Sequence, residues 1–159
     1  MPLVYLGLGS NIGDKEVYIN KALTLLSEFS IVKRVSHLYL TEPVGNVKQD
    51  WFLNCTVEIE TEAEPKKLLS CVKTVERTLG RTKTIRNKPR CIDIDILFYG
   101  DCIVNTKTLV IPHPSIQERL FVLRPLMDLN PYFIHPVLKK SIRELYKSHS
   151  WIHKVKRYK

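Results

Sequence analysis

Residues 89–100 read PRCIDIDILFYG, and this stretch decides how the rest of the chain is interpreted. From Ile92 onward the residues alternate with a period of two, the pattern of a strand with one buried face. The alternation puts Asp93 and Asp95 on the same face, about 6–7 Å apart along the strand. Like charges this close repel each other unless cations lie between them. Two acids placed in this way would suit Mg²⁺, since Mg²⁺ takes one or two carboxylates together with substrate phosphates.

The same alternation predicts the faces of the rest of the strand. Phe98 falls on the face of the isoleucines, and Leu97 and Tyr99 fall beside the acids. An ordinary exposed strand with solvated acids has this pattern too, so the acid pair alone does not decide between the two interpretations.

A basic stretch before the strand favours the metal interpretation. It contains six basic residues and no acidic one: Arg77, Arg81, Lys83, Arg86, Lys88 and Arg90. A solvated basic loop is the usual meaning of such a run. Here it ends directly against the two Asp residues, so a metal and guanidinium groups would converge on one polyphosphate.

Composition and length indicate a single soluble domain over residues 1–159. The chain is 44% hydrophobic and 26% charged, it has no apolar run long enough to span a membrane, and its N-terminus lacks a signal peptide. The four cysteines show no C-x-x-C spacing, which favours reduced thiols and a cytoplasmic location over a disulfide framework or a zinc site.

The positive charge is concentrated at the C-terminus. Residues 139–159 carry +7 of the net +9, so we interpret them as a basic tail and not as part of a nucleic-acid-binding face. We expect neither a nucleic-acid partner nor a membrane partner.

Periodicity predicts an α+β order of elements. Strands are predicted over residues 3–10, 31–40 and 51–61, and helices over residues 15–28, 64–79, 120–128 and 142–148, with a break near Pro125. Asp14 is the predicted N-cap of the first helix, Gly80 closes the second, and residues 103–111 form a hairpin. On the third strand Phe52 and Asn54 face away from the apolar side, where a ring for stacking and an amide suit a flat heterocycle.

Taken together, these stretches resemble the 6-hydroxymethyl-7,8-dihydropterin pyrophosphokinase family of the folate pathway. The resemblance rests on YLGLGSN at 5–11, TEPVG at 41–45, residues 49–54, Glu76 with residues 80–81, PRCIDIDI at 89–96, and residues 111–121 with their Pro-His-Pro and Arg-x-Phe. It implies a ferredoxin-like sandwich with a central antiparallel sheet and helices packed on one face. It also implies transfer of pyrophosphate from ATP to the hydroxymethyl group of the pterin, with release of AMP.

The resemblance assigns roles to individual residues. Asp93 and Asp95 would hold two Mg²⁺ ions, and Arg81, Arg90 and Asp95 would be catalytic. The pterin would contact Thr41, Pro43, Val44, Phe52, Asn54 and Phe121. ATP would contact Lys73, Glu76, Lys83, Arg90, Ile96, His113 and Arg119. We expect a monomer whose partners are ATP and a reduced pterin.

Two other functions use some of the same residues. A metal-dependent phosphohydrolase or nuclease also has paired Asp and Arg residues, but it has no need of Phe52, Asn54 and Phe121. An RNA-binding module on a similar sheet needs aromatic and basic residues on its open face, where this chain has two acids.

Overall fold

An antiparallel sheet with helices on both faces forms the protein. The structure is a computed structural model that describes residues 1–43, 48–80, 91–149 and 154–159. The elements within these ranges are β1 (Leu3–Ser10), α1 (Lys15–Leu26), β2 (Ile31–Val35), β3 (Tyr39–Thr41), β4 (Phe52–Glu60), α2 (Pro65–Thr78), β5 (Asp93–Tyr99), β6 (Val104–Asn105), β7 (Val110–Ile111), a 3-10 turn (Ile116–Glu118), α3 (Leu120–Leu129), α4 (Ile142–Lys147) and β8 (Val155–Arg157).

The central position in the main sheet belongs to β1 and β4. The strand order is β5-β1-β4-β3-β8, and β2 pairs with the far end of β4. Every pairing among these strands is antiparallel. The predicted strand over residues 31–40 is interrupted at Ser36, whose hydroxyl accepts from Thr56 N at 2.9 Å. The predicted hairpin is confirmed by the pairing of β6 with β7.

Helices cover both faces of this sheet, so the expected packing of helices on one face is wrong. The first face carries α1 and α2, whose inner residues pack on β1, β4 and β5 in one apolar core. The second face carries α3 and α4, which pack in a separate core around Tyr5 and Phe98. The alternation along each strand predicted two faces. It did not indicate that the second face is also apolar around Tyr5 and Phe98, where α3 and α4 pack. The α+β class and the antiparallel sheet are confirmed.

A β-bulge in β5 changes which residues reach each face. Tyr5 pairs with Phe98 and Leu6 pairs with Ile96, which leaves Leu97 as an extra residue on β5. After the bulge the alternation is shifted by one residue. Phe98 therefore lies in the second core and Tyr99 in the first, the reverse of the predicted faces.

The helix ends follow the sequence signals. Asp14 caps α1, since its Oδ1 accepts from Val17 N at 3.2 Å, and Gly80 follows α2 with a φ of 95°. By contrast, α3 runs through Pro125 without the predicted break. The described helices are all too short to cross a lipid bilayer.

The described part of the basic C-terminal segment is folded. It contributes α4 to the second core and β8 to the sheet edge, where β8 pairs with β3. Residues 139–159 are therefore more than the tail that their charge indicated.

A buried hydrogen-bond network joins β1, β2, β4 and the end of α3. The Glu58 carboxylate accepts from Tyr5 Oη at 2.8 Å and from Arg34 Nη2 at 2.8 Å, and Asn130 Nδ2 donates to Tyr5 Oη at 3.1 Å. The hydrogen bonds from Arg34 are the main cause that lowers the pKa of Glu58. This network begins two residues along β1 from Gly7, the partner of Asp95, and it holds the second core to the sheet.

We predict that Arg34→Ala destabilises the protein in a pH-dependent way. The lowered pKa of Glu58 contributes stability that is present above its unfolded pKa and is lost as the pH falls through the folded value. Urea denaturation at pH 7 should show a loss of about 1–2 kcal/mol, because the exposed part of the pair is screened. The loss should shrink at pH 3.

The neighbouring exposed pair provides the control. Lys33 Nζ lies 3.7 Å from Glu60, so Lys33→Ala should change stability by less than about 0.5 kcal/mol. An equal loss at both pH values for Arg34→Ala would contradict the role of the Glu58 charge.

Candidate active site

The two acids of β5 lie on the same face of the sheet, next to two glycines of β1. Asp93 pairs with Gly9 and Asp95 pairs with Gly7. Directly opposed residues in an antiparallel pair share a face, so both carboxylates stand on the second face beside strand positions that carry no side chain. The two acids therefore do not lie on opposite faces of the sheet.

The environment of Asp95 disfavours its charge. Burial is the largest cause, and the nearby Asp93 carboxylate is the next, which together raise the pKa of Asp95 to about 7. Its side chain nonetheless remains 34% exposed, so a ligand can reach it. A carboxyl in this state gains most from a cation placed between it and Asp93.

Arg119 and His113 adjoin the acid pair. Arg119 Nη1 lies 4.0 Å from Asp95 Oδ2, and its guanidinium stands 5.5 Å from the ring centroid of Phe121. Asp93 and Arg119 both act on His113 electrostatically, so all four charged or polar groups face one small region. The structure therefore brings these four residues together in space.

His113 is held neutral with a defined proton position. Burial, with a further contribution from Arg119, lowers its pKa to about 4. Its Nδ1 accepts from Ser115 N at 3.1 Å, which leaves Nε2 as the protonated nitrogen. Its backbone N donates to Leu97 O at 3.0 Å, so the bulge residue holds this segment to β5. The imidazole can therefore donate a hydrogen bond to an anion.

Two residues predicted at the nucleotide have side chains directed inward. Glu76 is buried, and its Oε2 accepts from Ile94 N at 2.9 Å while its Oε1 lies 3.2 Å from Lys73 Nζ. This carboxylate thus holds the strand between the two acids. The side chain of Ile96 lies in the first core, on the opposite face from Asp95, so only its backbone faces the site.

A second group stands on the other side of β1. Asn54 pairs with Gly9 in register, and its Nδ2 donates to Thr41 Oγ1 at 2.6 Å. A Cβ added at Gly9 would collide with Asn54 Oδ1 and would lie 3.5 Å from the Phe52 ring. The missing side chain at Gly9 therefore leaves room for Asn54 and Phe52. A single strand, β1, lies between these two residues of β4 and Asp93 of β5.

The remaining predicted residues are placed in part. Phe121 is partly buried at the margin of the second core, in the first turn of α3, and Pro43 follows the end of β3. Val44, Arg81, Lys83 and Arg90 lie outside the described residues.

Sequence reasoning missed the contacts that hold the chain around residues 49–51. Asn11 Nδ2 donates to Gln49 Oε1 at 2.8 Å and to Asp50 O at 3.3 Å, and Lys15 Nζ donates to Trp51 O at 2.7 Å. Asn11 and Gln49 both lie in stretches that carried the resemblance, which was the available signal. Lys15 is an ordinary helix-start residue and gave none.

The donor set of the acid pair fits magnesium better than a transition metal. In the described part of the chain, no three His, Cys, Asp or Glu residues gather as a full metal-binding group. Two carboxylates on one face suit an ion that keeps several waters and shares its remaining positions with phosphates. The four cysteines are free.

Comparison with known proteins identifies the family. The model of the family described as 7,8-dihydro-6-hydroxymethylpterin-pyrophosphokinase (HPPK) matches residues 5–131. The chain belongs to this family, and the resemblance found in the sequence is confirmed.

Relatives and solved structures agree with this assignment. The chain is 42% identical over 144 residues to the 2-amino-4-hydroxy-6-hydroxymethyldihydropteridine pyrophosphokinase of Aquifex aeolicus, covering 91% of this chain and 90% of the relative. It is 44% identical over 144 residues to the folic acid synthesis protein fol1 of Schizosaccharomyces pombe, covering 89% of this chain and 20% of that protein. The chain thus spans about a fifth of the yeast relative.

The fold is shared with a solved structure of a longer protein. Wild-type HPPK-DHPS of Plasmodium falciparum superposes with a TM-score of 0.73 at 20% identity, covering 92% of this chain and 44% of the Plasmodium chain. At this identity the likeness concerns the fold.

We predict that Asp95→Asn stabilises the metal-free protein. The folded-state pKa of Asp95 is raised from 3.8 to about 7, so its ionisation costs stability at higher pH. This cost declines as the pH falls below the folded value and is gone only below the unfolded value. In EDTA at pH 8 the variant should melt about 2–4 °C higher than the parent chain, and the gain should shrink at pH 5 and vanish at about pH 3. Asp101→Asn, at an exposed turn, is the control and should leave the melting temperature unchanged.

Proposed function

We propose that the protein is a Mg²⁺-dependent pyrophosphokinase that transfers the terminal diphosphate of ATP to the hydroxymethyl oxygen of 6-hydroxymethyl-7,8-dihydropterin. The observation that carries this proposal is the position of Gly9 between Asn54 and Asp93 in adjacent strands. It puts a group suited to a flat heterocycle one strand away from a group suited to a polyphosphate. The pterin, which accepts the diphosphate, and ATP, which donates it, would meet over β1 on the second face of the sheet.

The reaction needs the two substrates aligned and shielded from water. The hydroxymethyl oxygen attacks the β-phosphorus of ATP, the bond from that phosphorus to the oxygen bridging it to the α-phosphate breaks, and AMP leaves with that oxygen. We propose that Asp95 helps to remove the hydroxyl proton, because a base with a pKa near the working pH is the most effective. Holding the reacting atoms in line supplies a large part of the rate enhancement.

Magnesium would be held by Asp93 and Asp95, with two ions implied by the family resemblance. When bound, the metal would neutralise the charge of the triphosphate. The fit rests on the shared face of the two carboxylates and on the raised pKa of Asp95.

The nucleotide side would be completed by residues around the acid pair. His113 would donate from Nε2 to a phosphate oxygen, and Arg119 would add a positive charge beside Asp95. Lys73, on α2, would contact the nucleotide. Glu76 would hold β5 in place through its hydrogen bond from Ile94 N, and Ile96 would contact the nucleotide through its backbone. Arg81, Lys83 and Arg90 are proposed to clamp the phosphates and stabilise the charge on AMP as it leaves.

The pterin side would be formed by two aromatic rings and a polar edge. Phe52 and Phe121 would stack on the faces of the ring system, and Asn54 with Thr41, Pro43 and Val44 would read its edge. The Asn54–Thr41 hydrogen bond supports this assignment, because it fixes the amide with its oxygen towards Gly9.

The proposal extends to the organisation of the whole chain. We infer that residues 1–159 act as one domain, as a monomer, in the cytoplasm, where the four free cysteines would stay reduced. The order β5-β1-β4-β3 with α1 and α2 on one face supports a ferredoxin-like unit, to which α3, α4 and β8 are added.

The deciding experiment mixes the protein with ATP, Mg²⁺ and 6-hydroxymethyl-7,8-dihydropterin and separates the nucleotide products. AMP should form in amounts equal to the pterin diphosphate, and only when all three components are present. Asp95→Asn should lose turnover by at least about a hundredfold, since it removes a metal ligand and a base. Formation of ADP or of free phosphate without pterin would favour a phosphohydrolase.

We predict that Gly9→Ala weakens pterin binding. The added methyl would displace the Asn54 amide and break its hydrogen bond to Thr41, at a cost of about tenfold in pterin affinity. The matched change Gly7→Ala meets the Leu97 side chain only at 3.5 Å, an ordinary contact, and should have a smaller effect on pterin. Titration of each variant with the pterin measures both constants. Equal losses for the two variants would remove Asn54 from the pterin site.

A further inference from the structure

We infer that the C-terminal strand β8 is a positioning element for the pterin side of the site. This inference rests on the proposed function and adds a residue set that the established family activity does not assign. It begins from the weakness of β3, which is only three residues long and ends at Thr41. A strand this short fixes its own position poorly, so its neighbours on both edges decide where Thr41 lies.

The inner edge of β3 is held by β4 and the outer edge by β8. Thr41 pairs with Phe52 on one side and with Val155 on the other. Within the described ranges β8 is the last strand at this end of the sheet. The strand that carries Thr41, β3, thus lies between β4, which carries Phe52, and the C-terminal strand β8.

The contact extends beyond the strand to the residue between Thr41 and Pro43. Glu42 N donates to Lys154 O at 3.1 Å, and Lys154 N donates to Glu42 Oε1 at 2.9 Å. Both the backbone and the side chain of Glu42 are therefore bound by Lys154, the residue that precedes β8. Because Glu42 is flanked by two residues assigned to the pterin edge, this pair of bonds fixes their backbone.

The last residues tie the same strand to the start of α1. Lys159 Nζ lies 2.8 Å from Glu16 Oε1, and Leu38 N donates to Lys159 O at 3.1 Å. The helix start also holds the chain after the 42–50 segment, through the Lys15 hydrogen bond to Trp51 O. Glu42 and Trp51, which flank that segment, are therefore both held by the same neighbourhood, the C-terminal residues around β8 and the first turn of α1.

The register identifies which residues of β8 hold β3. Tyr158 N donates to Leu38 O at 2.7 Å, and Glu42 N donates to Lys154 O at 3.1 Å. Hydrogen-bonded pairs alternate along an antiparallel ladder, so Lys156, opposite Leu40, directs its N–H to β3. Arg157 directs its N–H away from β3, to the outer edge.

A matched pair of proline substitutions tests the inference in the full-length chain. Lys156→Pro removes the N–H that faces β3, whereas Arg157→Pro removes one that faces outward, where proline is tolerated. Each removes one positive charge, and the two variants differ in whether the N–H that is lost faces β3. Dissociation constants are measured for 6-hydroxymethyl-7,8-dihydropterin and, separately, for a non-hydrolysable ATP analogue.

Lys156→Pro should weaken pterin binding by about fivefold to tenfold while changing binding of the ATP analogue less than about twofold. Arg157→Pro should keep both constants within about twofold of the parent chain. A folded Lys156→Pro protein with unchanged pterin affinity would overturn the inference, and so would equal losses for the pterin and the ATP analogue.

A second pair of variants applies if Lys156→Pro fails to fold. Glu42→Ala removes the acceptor for Lys154 N, and Glu42→Gln keeps a carbonyl oxygen in its place. The Ala variant should lose pterin affinity selectively and the Gln variant should restore it. Identical behaviour of the two variants overturns the inference. The parent chain separates this outcome from the proposed function, because failure of the unmodified protein to bind pterin would refute the function itself.

Discussion

The site depends on the register of β1 with its two neighbours. The strand is hydrogen-bonded to β4 on one edge and to β5 on the other, so each of its residues fixes one partner on each side. Gly9 and Gly7 stand where this double pairing brings Asn54, Asp93 and Asp95 together on one face. A shift of either register by one residue would turn the acids or the amide into the apolar core. The cores on both faces make such a shift costly.

Much of this arrangement could be predicted from the sequence because it is local. The alternation of residues 92–96 placed both acids on one face, and Asp14 and Gly80 marked helix ends through their own backbone preferences. The bulge at Leu97 could not be predicted in this way, since an extra residue leaves the local alternation of residue types unchanged and depends on how β1 packs alongside. The faces of Phe98 and Tyr99 were therefore exchanged.

Contacts between residues distant in sequence were the other limit. The second core brings α3 and α4 to Tyr5 and Phe98, and no periodicity reports that both faces of a sheet are covered. Glu76 was assigned to the nucleotide, while its carboxylate is used by the backbone of Ile94. The charge of residues 139–159 indicated a tail, but charge alone gives no information about the backbone pairing of β8 with β3.

The bulge at Leu97 has a consequence for transferring this site to another protein. The extra residue sends Phe98 into the second core, and the carbonyl of Leu97 accepts from the backbone N of His113 at 3.0 Å. The bulge thus has two effects: it packs Phe98 into the second core, and it holds the backbone of His113 next to β5. Grafting the Asp-x-Asp sequence onto a regular strand would reproduce the carboxylates but would leave the imidazole without its support. A designed copy has to include the irregular residue as part of the site.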